Sequence, residues 1–167
     1  MLEEEIFDVV NEHDEPVGTA ARSVVHREGL LHRSAHVLVF DRAGRLFVQR
    51  RALSKDTSPG DWDTSAAGHL NAGEDYPEAA LRELAEELGV RPLEPLTPLL
   101  KLPASVATGQ EFVWVFRGVV DPPVQPDPSE IMDGRWCTVS EIAAWIARAP
   151  TDFTSTFLLL WGALALR

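Results

Sequence analysis

Four glutamates, Glu78, Glu83, Glu86 and Glu87, crowd into the stretch Gly68–Val90, and a fifth, Glu74, precedes them. On a helix, residues three and four apart share a face. Glu83, Glu86 and Glu87 therefore project together, within an arc of roughly 100° at 3.6 residues per turn. Like charges at this spacing weaken a helix slightly, and a divalent cation held among them reverses that cost. Magnesium suits such a set, since it takes oxygen ligands at about 2.0–2.1 Å and shares them with substrate phosphates. Arg82, four residues before Glu86, can pair with a neighbouring carboxylate and fix its rotamer. An acidic helix face is usually only a solvated surface. The rest of the segment argues otherwise. Gly68, five residues, Glu74, seven residues, then Arg82-Glu83-Leu84-Ala85-Glu86-Glu87-Leu88-Gly89-Val90 is a pattern expected by chance in well under about one in a million chains of ordinary composition.

The elements that position these residues read as an α/β arrangement. Two β-like runs around "HDEP" predict an N-terminal hairpin over residues 5–24. A second hairpin follows, with strand His36–Phe40, a turn at Asp41–Gly44 and strand Arg45–Gln49. A loop at Pro59–Gly60 leads to a short strand near Thr64–Ala67. Pro77 fits a first helical turn and Gly89 a position just past the end, which predicts a helix to Leu88. Ala80, Leu81, Leu84 and Leu88 form its apolar stripe, opposite the carboxylates. Strand Glu111–Val120, a Pro-rich loop, a strand in "GRWCTV", a helix capped by Ser140 and a C-terminal core helix Phe157–Leu166 complete the order. Strands, a central helix, more strands and two helices imply a mixed sheet with helices packed on it.

At 167 residues the chain reads as one domain, 1–167. A net charge of −11 argues against a nucleic-acid partner, whose phosphates require clustered Lys and Arg. Residues 1–20 show no signal peptide, and the longest apolar run is too short for a bilayer span of about 20 residues. No membrane partner is expected. The single Cys137 suits a reducing cytoplasm and reads as a buried strand thiol.

The 68–90 segment resembles the Nudix box, G-x5-E-x7-R-E-U-x-E-E-x-G-U with U aliphatic. The resemblance implies the Nudix fold, a mixed β-sheet sandwiched between α-helices. It also implies hydrolysis of a diphosphate linkage in a nucleoside-diphosphate-type small molecule with Mg²⁺ or Mn²⁺. By position, Glu83, Glu86 and Glu87 would hold the metal, with the Gly68 carbonyl as a further ligand. Arg82 would orient the glutamates, and Glu74 and Gly89 would serve the box structurally. A carboxylate must accept the proton of the attacking water. That base is either a box glutamate or one outside it, with Glu111 and Glu130 as the candidates.

A longer stretch, "LFVQRRALSKDTSPGDWDTSAAGHL" with "EFVWVF", "GRWCTV" and "TDFTSTFLLLW", is similar to isopentenyl-diphosphate isomerase, a Nudix-fold enzyme. Those isomerases protonate and deprotonate carbon, using a Cys just before Gly-His, a strand glutamate, and a metal site of several His and Glu residues. Here the Cys position is Ala67, which has no proton to exchange. His32, His69 and Glu111 match family positions, and His26 lies near another with its spacing off by one. Gly109 stands where a further glutamate is usual. The resemblance is to the isomerase-like branch of Nudix hydrolases, with a divergent isomerase or a non-catalytic binding module as alternatives.

Arg50, Arg51 and Lys55 form the basic cluster expected to bind substrate phosphates, Arg by its fork and Lys as a point charge. His69 is a further candidate for phosphate or metal contact, and His32 for lining the cleft. His36 reads as structural, and Trp62 and Trp114 as core. No Ser-His-Asp motif, P-loop or zinc-type spacing is present. A homodimer is compatible with this sequence.

Overall fold

The computed structural model describes residues 3–164. Strands β1 (Ile6–Val10) and β2 (Pro16–Ala21) pair antiparallel as a separate two-stranded sheet, the hairpin expected from the sequence. Helix α1 (Arg22–Glu28), which pattern alone did not foresee, follows and ends at Gly29 in the left-handed region. The main sheet is built around β3 (His32–Phe40), longer than expected by four residues at its start. One edge of β3 runs parallel to β8 (Glu111–Val119), and β8 pairs antiparallel with β7 (Thr97–Leu102). The other edge is shared. Its Ser34–Val37 part pairs with β6 (Ala66–His69), and only Phe40 meets β4 (Leu46–Arg51). β4 then turns away to pair with β5 (Trp62–Asp63) and β9 (Ile131–Cys137).

Alternation along the strands divides the core between two faces. Ala35, Val37 and Val39 of β3 and Phe47 of β4 pack with Leu84 and Leu88 of helix α2 (Tyr76–Leu88). Leu38, Phe40, Leu46 and Val48 point the other way, against α3 (Val139–Arg148) and α4 (Ser155–Leu164), through Ile142, Phe157 and Leu160. This is the expected mixed sheet between helices. The expected end of the last helix, Ala165 and Leu166, lies outside the described residues. No helix among the described residues is long and apolar enough to cross a membrane.

Helix α2 starts at Asp75, whose carboxylate accepts the Glu78 N–H at 2.9 Å while the Glu78 side chain accepts the Asp75 N–H at 3.1 Å. Gly89 ends it at φ 61°, a left-handed conformation that costs an L side chain more than glycine. The apolar stripe differs from expectation. Leu81 is 47% exposed, whereas Glu83 and Glu87 are buried beside Ala80 and Leu84. On the helical wheel those glutamates adjoin the apolar stripe rather than oppose it, so docking α2 on the sheet takes them inward. Helix α3 is capped by Thr138 rather than Ser140, because Glu141 three residues after Thr138 completes a reciprocal pair with it. The hairpin is fastened at Asp14, which accepts hydrogen bonds from Arg33 Nε at 2.6 Å and the Tyr76 hydroxyl at 2.7 Å, and pairs with Lys101.

Because the Asp75 cap satisfies N–H groups that the helix cannot satisfy itself, Asp75→Ala should lower the unfolding free energy by about 1 kcal/mol. Urea denaturation followed by circular dichroism measures that loss.

Candidate active site

Strand β6 and helix α2 meet where Gly68 faces Glu83. A Cβ at Gly68 would overlap the Glu83 carboxyl group, so only glycine lets the buried carboxylate lie against the strand. Arg82 organises this seam. Its Nε and Nη2 donate to the two Glu74 carboxylate oxygens at 2.8 and 2.9 Å, Nη2 also to the His69 carbonyl at 2.9 Å, and Nη1 to Glu83 at 2.5 Å and Glu86 at 3.3 Å. Glu74 further accepts the Asn71 N–H. Burial works against its charge, yet the Arg82 bonds prevail and hold its pKa below the ordinary value.

Glu83 and Glu87 are in the opposite state. Burial pushes Glu83 up to about 7 against the pull of Arg82. Glu87 rises to about 8 through burial and the adjacent Glu83 charge, opposed by hydrogen bonds from Gln49 Nε2 at 2.8 Å and the Ala67 N–H at 3.2 Å. Glu86 is the exposed member. Two buried carboxyl groups, of which only Glu83 meets a guanidinium, are short of positive charge, and a divalent cation matches that deficit. Lys55, Arg51 and Glu130 close the same cleft, which has a volume of about 300 Å³. Lys55 is ion-paired with Glu130 there.

A second cluster lies across the sheet. Register places Ala67 opposite His36 and His69 opposite Ser34, so these side chains leave β6 on the face away from α2. Donor atoms of His26, His32, His69 and Glu111 all lie within 4.8 Å of one another. Glu111 Oε1 is 2.9 Å from His69 Nε2 and 3.5 Å from His32 Nε2, and His26 Nε2 is 3.4 Å from His69 Nε2. Burial disfavours the Glu111 charge, but His69 and His32 outweigh it and hold its pKa well below the carboxylate range. His32 Nδ1 donates to the Leu30 carbonyl at 2.8 Å, and its Nε2 is buried without a hydrogen-bond partner, 3.5 Å from the Glu111 carboxylate. With His26, His69 and Glu111 around that orphaned nitrogen, the donor set is three imidazoles and a carboxylate, which fits a divalent transition metal. Phe7 of the hairpin stacks over His69 and His32, with ring centroids 4.7 and 5.9 Å apart.

The residues named from sequence therefore divide. Glu74, Arg82, Glu83, Glu86, Glu87, Gly68, Arg51 and Lys55 gather at the α2 cleft, joined by Glu130. His69 reaches both sides, and Glu111 belongs to the histidine cluster rather than to the box carboxylates. Arg50 is a correction. Alternation on β4 sends it to the opposite face from Arg51, where Nε donates to the Gly60 carbonyl at 2.9 Å and the side chain lines a cleft with Trp62, Arg135 and Trp145. Cys137 is half-buried rather than buried, on edge strand β9, and burial still raises its pKa. Trp62 is core on the α3/α4 side, Trp114 packs against the α2-side core through Tyr76 and Phe116, and His36 hydrogen-bonds Thr64. Gln49 joins this site through Glu87, beyond the residues expected from sequence. Its signal was a polar residue on the same β4 face as Phe47 and Arg51.

Residues 30–157 match the family model described as the NUDIX domain. An isopentenyl-diphosphate Delta-isomerase of Burkholderia multivorans is 37% identical over 92% of this chain and 89% of its own length. One from Streptomyces avermitilis is 38% identical over 95% and 82%. A protein of Pseudomonas aeruginosa described as an uncharacterized Nudix hydrolase is 47% identical, over 52% of each chain. The crystal structure of DR0079 from Deinococcus radiodurans superposes with a TM-score of 0.73 at 32% identity, covering 86% of this chain and 90% of that one. With the family model spanning most of its length and these relatives matched nearly end to end, this chain belongs to the Nudix family.

Proposed function

We propose that this chain is a divalent-metal-dependent enzyme that hydrolyses a diphosphate linkage in a small, nucleoside-diphosphate-type molecule. The observation that carries the reading is Ala67. It faces the cavity that holds Glu111, where the isomerase resemblance calls for a thiol, and it stands beside a complete set of box carboxylates. A methyl group can neither deliver nor accept a proton.

Glu83, Glu86, Glu87 and the Gly68 carbonyl would hold Mg²⁺ or Mn²⁺. When bound, the cation would neutralise phosphate oxygens and acidify a water. The protein's part is positioning. Arg82 locks Glu83 and Glu86 toward one point, and Gln49 fixes one Glu87 oxygen. Arg51 and Lys55 line the same cleft as these carboxylates, where they suit the anionic substrate. Glu130, held by Lys55 at the same cleft, and the exposed Glu86 are the carboxylates placed to take the water's proton.

Isomerisation of isopentenyl diphosphate is the second reading. It is favoured by the full-length similarity to isopentenyl-diphosphate isomerases, whereas the relative named a hydrolase matches only half the chain. The His26/His32/His69/Glu111 cluster supports it too. Against it stands Ala67, which leaves Glu111 without a second proton-exchanging partner across the cavity.

Phosphorus and deuterium NMR in deuterated water with Mg²⁺ or Mn²⁺ separates the two. Nucleoside diphosphates, nucleotide sugars and isopentenyl diphosphate serve as substrates. Cleavage of the diphosphate without deuterium in the alkene is expected, and deuterium incorporation without cleavage overturns hydrolysis. Glu87→Gln should cut turnover at least about 10²-fold, the scale of losing catalytic charge stabilisation, with an unchanged circular dichroism spectrum.

The pH dependence has a definite sign. Glu83 and Glu87 are raised from 4.5 to about 7 and about 8 by burial, so the metal-free fold binds more protons than the unfolded chain between those values. Their stabilising contribution is complete below the unfolded pKa and is lost as pH rises through 7 to 8. In EDTA, the Tm difference between wild type and Glu87→Gln should shift against the wild type over that window. Adding Mn²⁺ should restore the wild type alone.

A further inference from the structure

The face of β3 that carries the histidine cluster changes character along its length. His32, Ser34 and His36 occupy its first half, and Leu38 and Phe40 the second. The apolar half is covered by α3 and α4, while the polar half borders a cavity of about 450 Å³. Three side chains on the floor of that cavity are polar and almost wholly buried, with Ser34 2%, His36 6% and Asp63 4% exposed. Their hydrogen bonding is incomplete. The Ser34 hydroxyl is buried with no partner. His36 Nδ1 lies 2.9 Å from the Thr64 hydroxyl, which itself donates to the Ala66 carbonyl at 3.4 Å. The Thr64 oxygen therefore accepts from Nδ1–H, and His36 Nε2 is left as an acceptor with no protein partner among the described residues. Asp63 accepts the Thr64 N–H at 2.8 Å and has Arg51 at 3.6 Å on its other oxygen.

Burying unmet polar groups against hydrocarbon costs free energy that a hydrogen-bonding ligand would spare. An apolar five-carbon chain in this cavity would cover the Ser34 hydroxyl and His36 Nε2 and satisfy neither. A group bearing O–H or N–H would pair with both. Arg51, Ala67, Gly68 and His69 line both this cavity and the box cleft, so the two spaces adjoin, and a diphosphate ester with its phosphates at the carboxylates would extend its organic part over β3.

We infer that the cavity beside Ala67 is the subsite for a hydroxylated or nitrogenous group of the substrate, and that Ser34 and His36 are the residues that distinguish such a group from a hydrocarbon. This rests on the diphosphate reading of the box cleft and adds to it the polarity of what the diphosphate carries.

Calorimetry with Mg²⁺ and non-cleavable methylenebisphosphonates of uridine, ribose and isopentenol tests the subsite without turnover. The wild type should bind the uridine or the ribose probe about 100-fold more tightly than the isopentenyl probe. Ser34→Ala and His36→Phe should each shrink that ratio about 10-fold, the value of one hydrogen bond to a buried group. Ser34→Ala removes an unpaired hydroxyl, so its Tm should not fall, and it carries the test alone if His36→Phe unfolds. Preference for uridine over ribose assigns the pairing to the base, and equal binding of the two assigns it to the sugar. A wild-type ratio near one, a ratio unmoved by Ser34→Ala, or failure to bind any of the three overturns the subsite. Phosphate release from the cleavable parent compounds reports separately on hydrolysis. Release with an unselective cavity sinks only the subsite, and a selective cavity without release sinks only the hydrolytic reading.

Discussion

The Arg82 guanidinium is the joint on which the box depends. It binds a loop carboxylate, a strand carbonyl and two helix carboxylates at once, so loop, strand and helix are fixed relative to one another by a single planar group. The fork matters. A lysine at this position would offer one point charge where five N–H donors in a rigid plane are needed. It also lets Glu83 be taken inward at all, because an unpaired buried carboxylate is far costlier than one facing a guanidinium. The absence of a side chain at Gly68 supplies the space, and Arg82 compensates part of the charge.

The sheet then works as a partition. Its α2 side carries carboxylates and a demand for cations, while the opposite side carries imidazoles and an irregular polar hollow. Both come from the same few residues, since neighbours along β6 point in opposite directions: Gly68 to the helix, Ala67 and His69 to the hollow. The histidine cluster and the box are thus one residue apart in sequence, and a ligand that bridges them needs no domain motion to do so.

Local chemistry was the most legible part of the sequence. Helix α2 could be placed almost to the residue because Pro77 and Gly89 act within a turn of themselves, whereas the Arg82–Glu74 contact emerges only in the fold, the box resemblance implying no more than a structural part for Glu74. Docking was less legible. The apolar stripe of α2 includes or omits Leu81 depending on which part of the wheel meets the sheet, and only packing decides that. Arg50 and Arg51 look equivalent as neighbours in sequence, yet a strand sends them to different clefts. Thr138 and Ser140 are both good caps, and the reciprocal Glu141 was the overlooked discriminator. The isomerase resemblance names His32, His69 and Glu111, but His26, its spacing off by one, rides on a seven-residue helix too short to show a period, and only the fold brings it into the cluster.

That short helix and the hairpin before it lie upstream of residue 30, where the family match begins. They nevertheless supply Phe7, the aromatic roof over His69 and His32, and His26, one of the four donors. The reactive environment of His69 is thus set partly by a segment that shares no strand pairing with the main sheet. Exchange of a few side chains between residues 3 and 29 would retune the imidazole chemistry while the geometry of strand, loop and acidic helix stayed untouched. In this molecule, the appendage is a place where one scaffold can acquire a new selectivity.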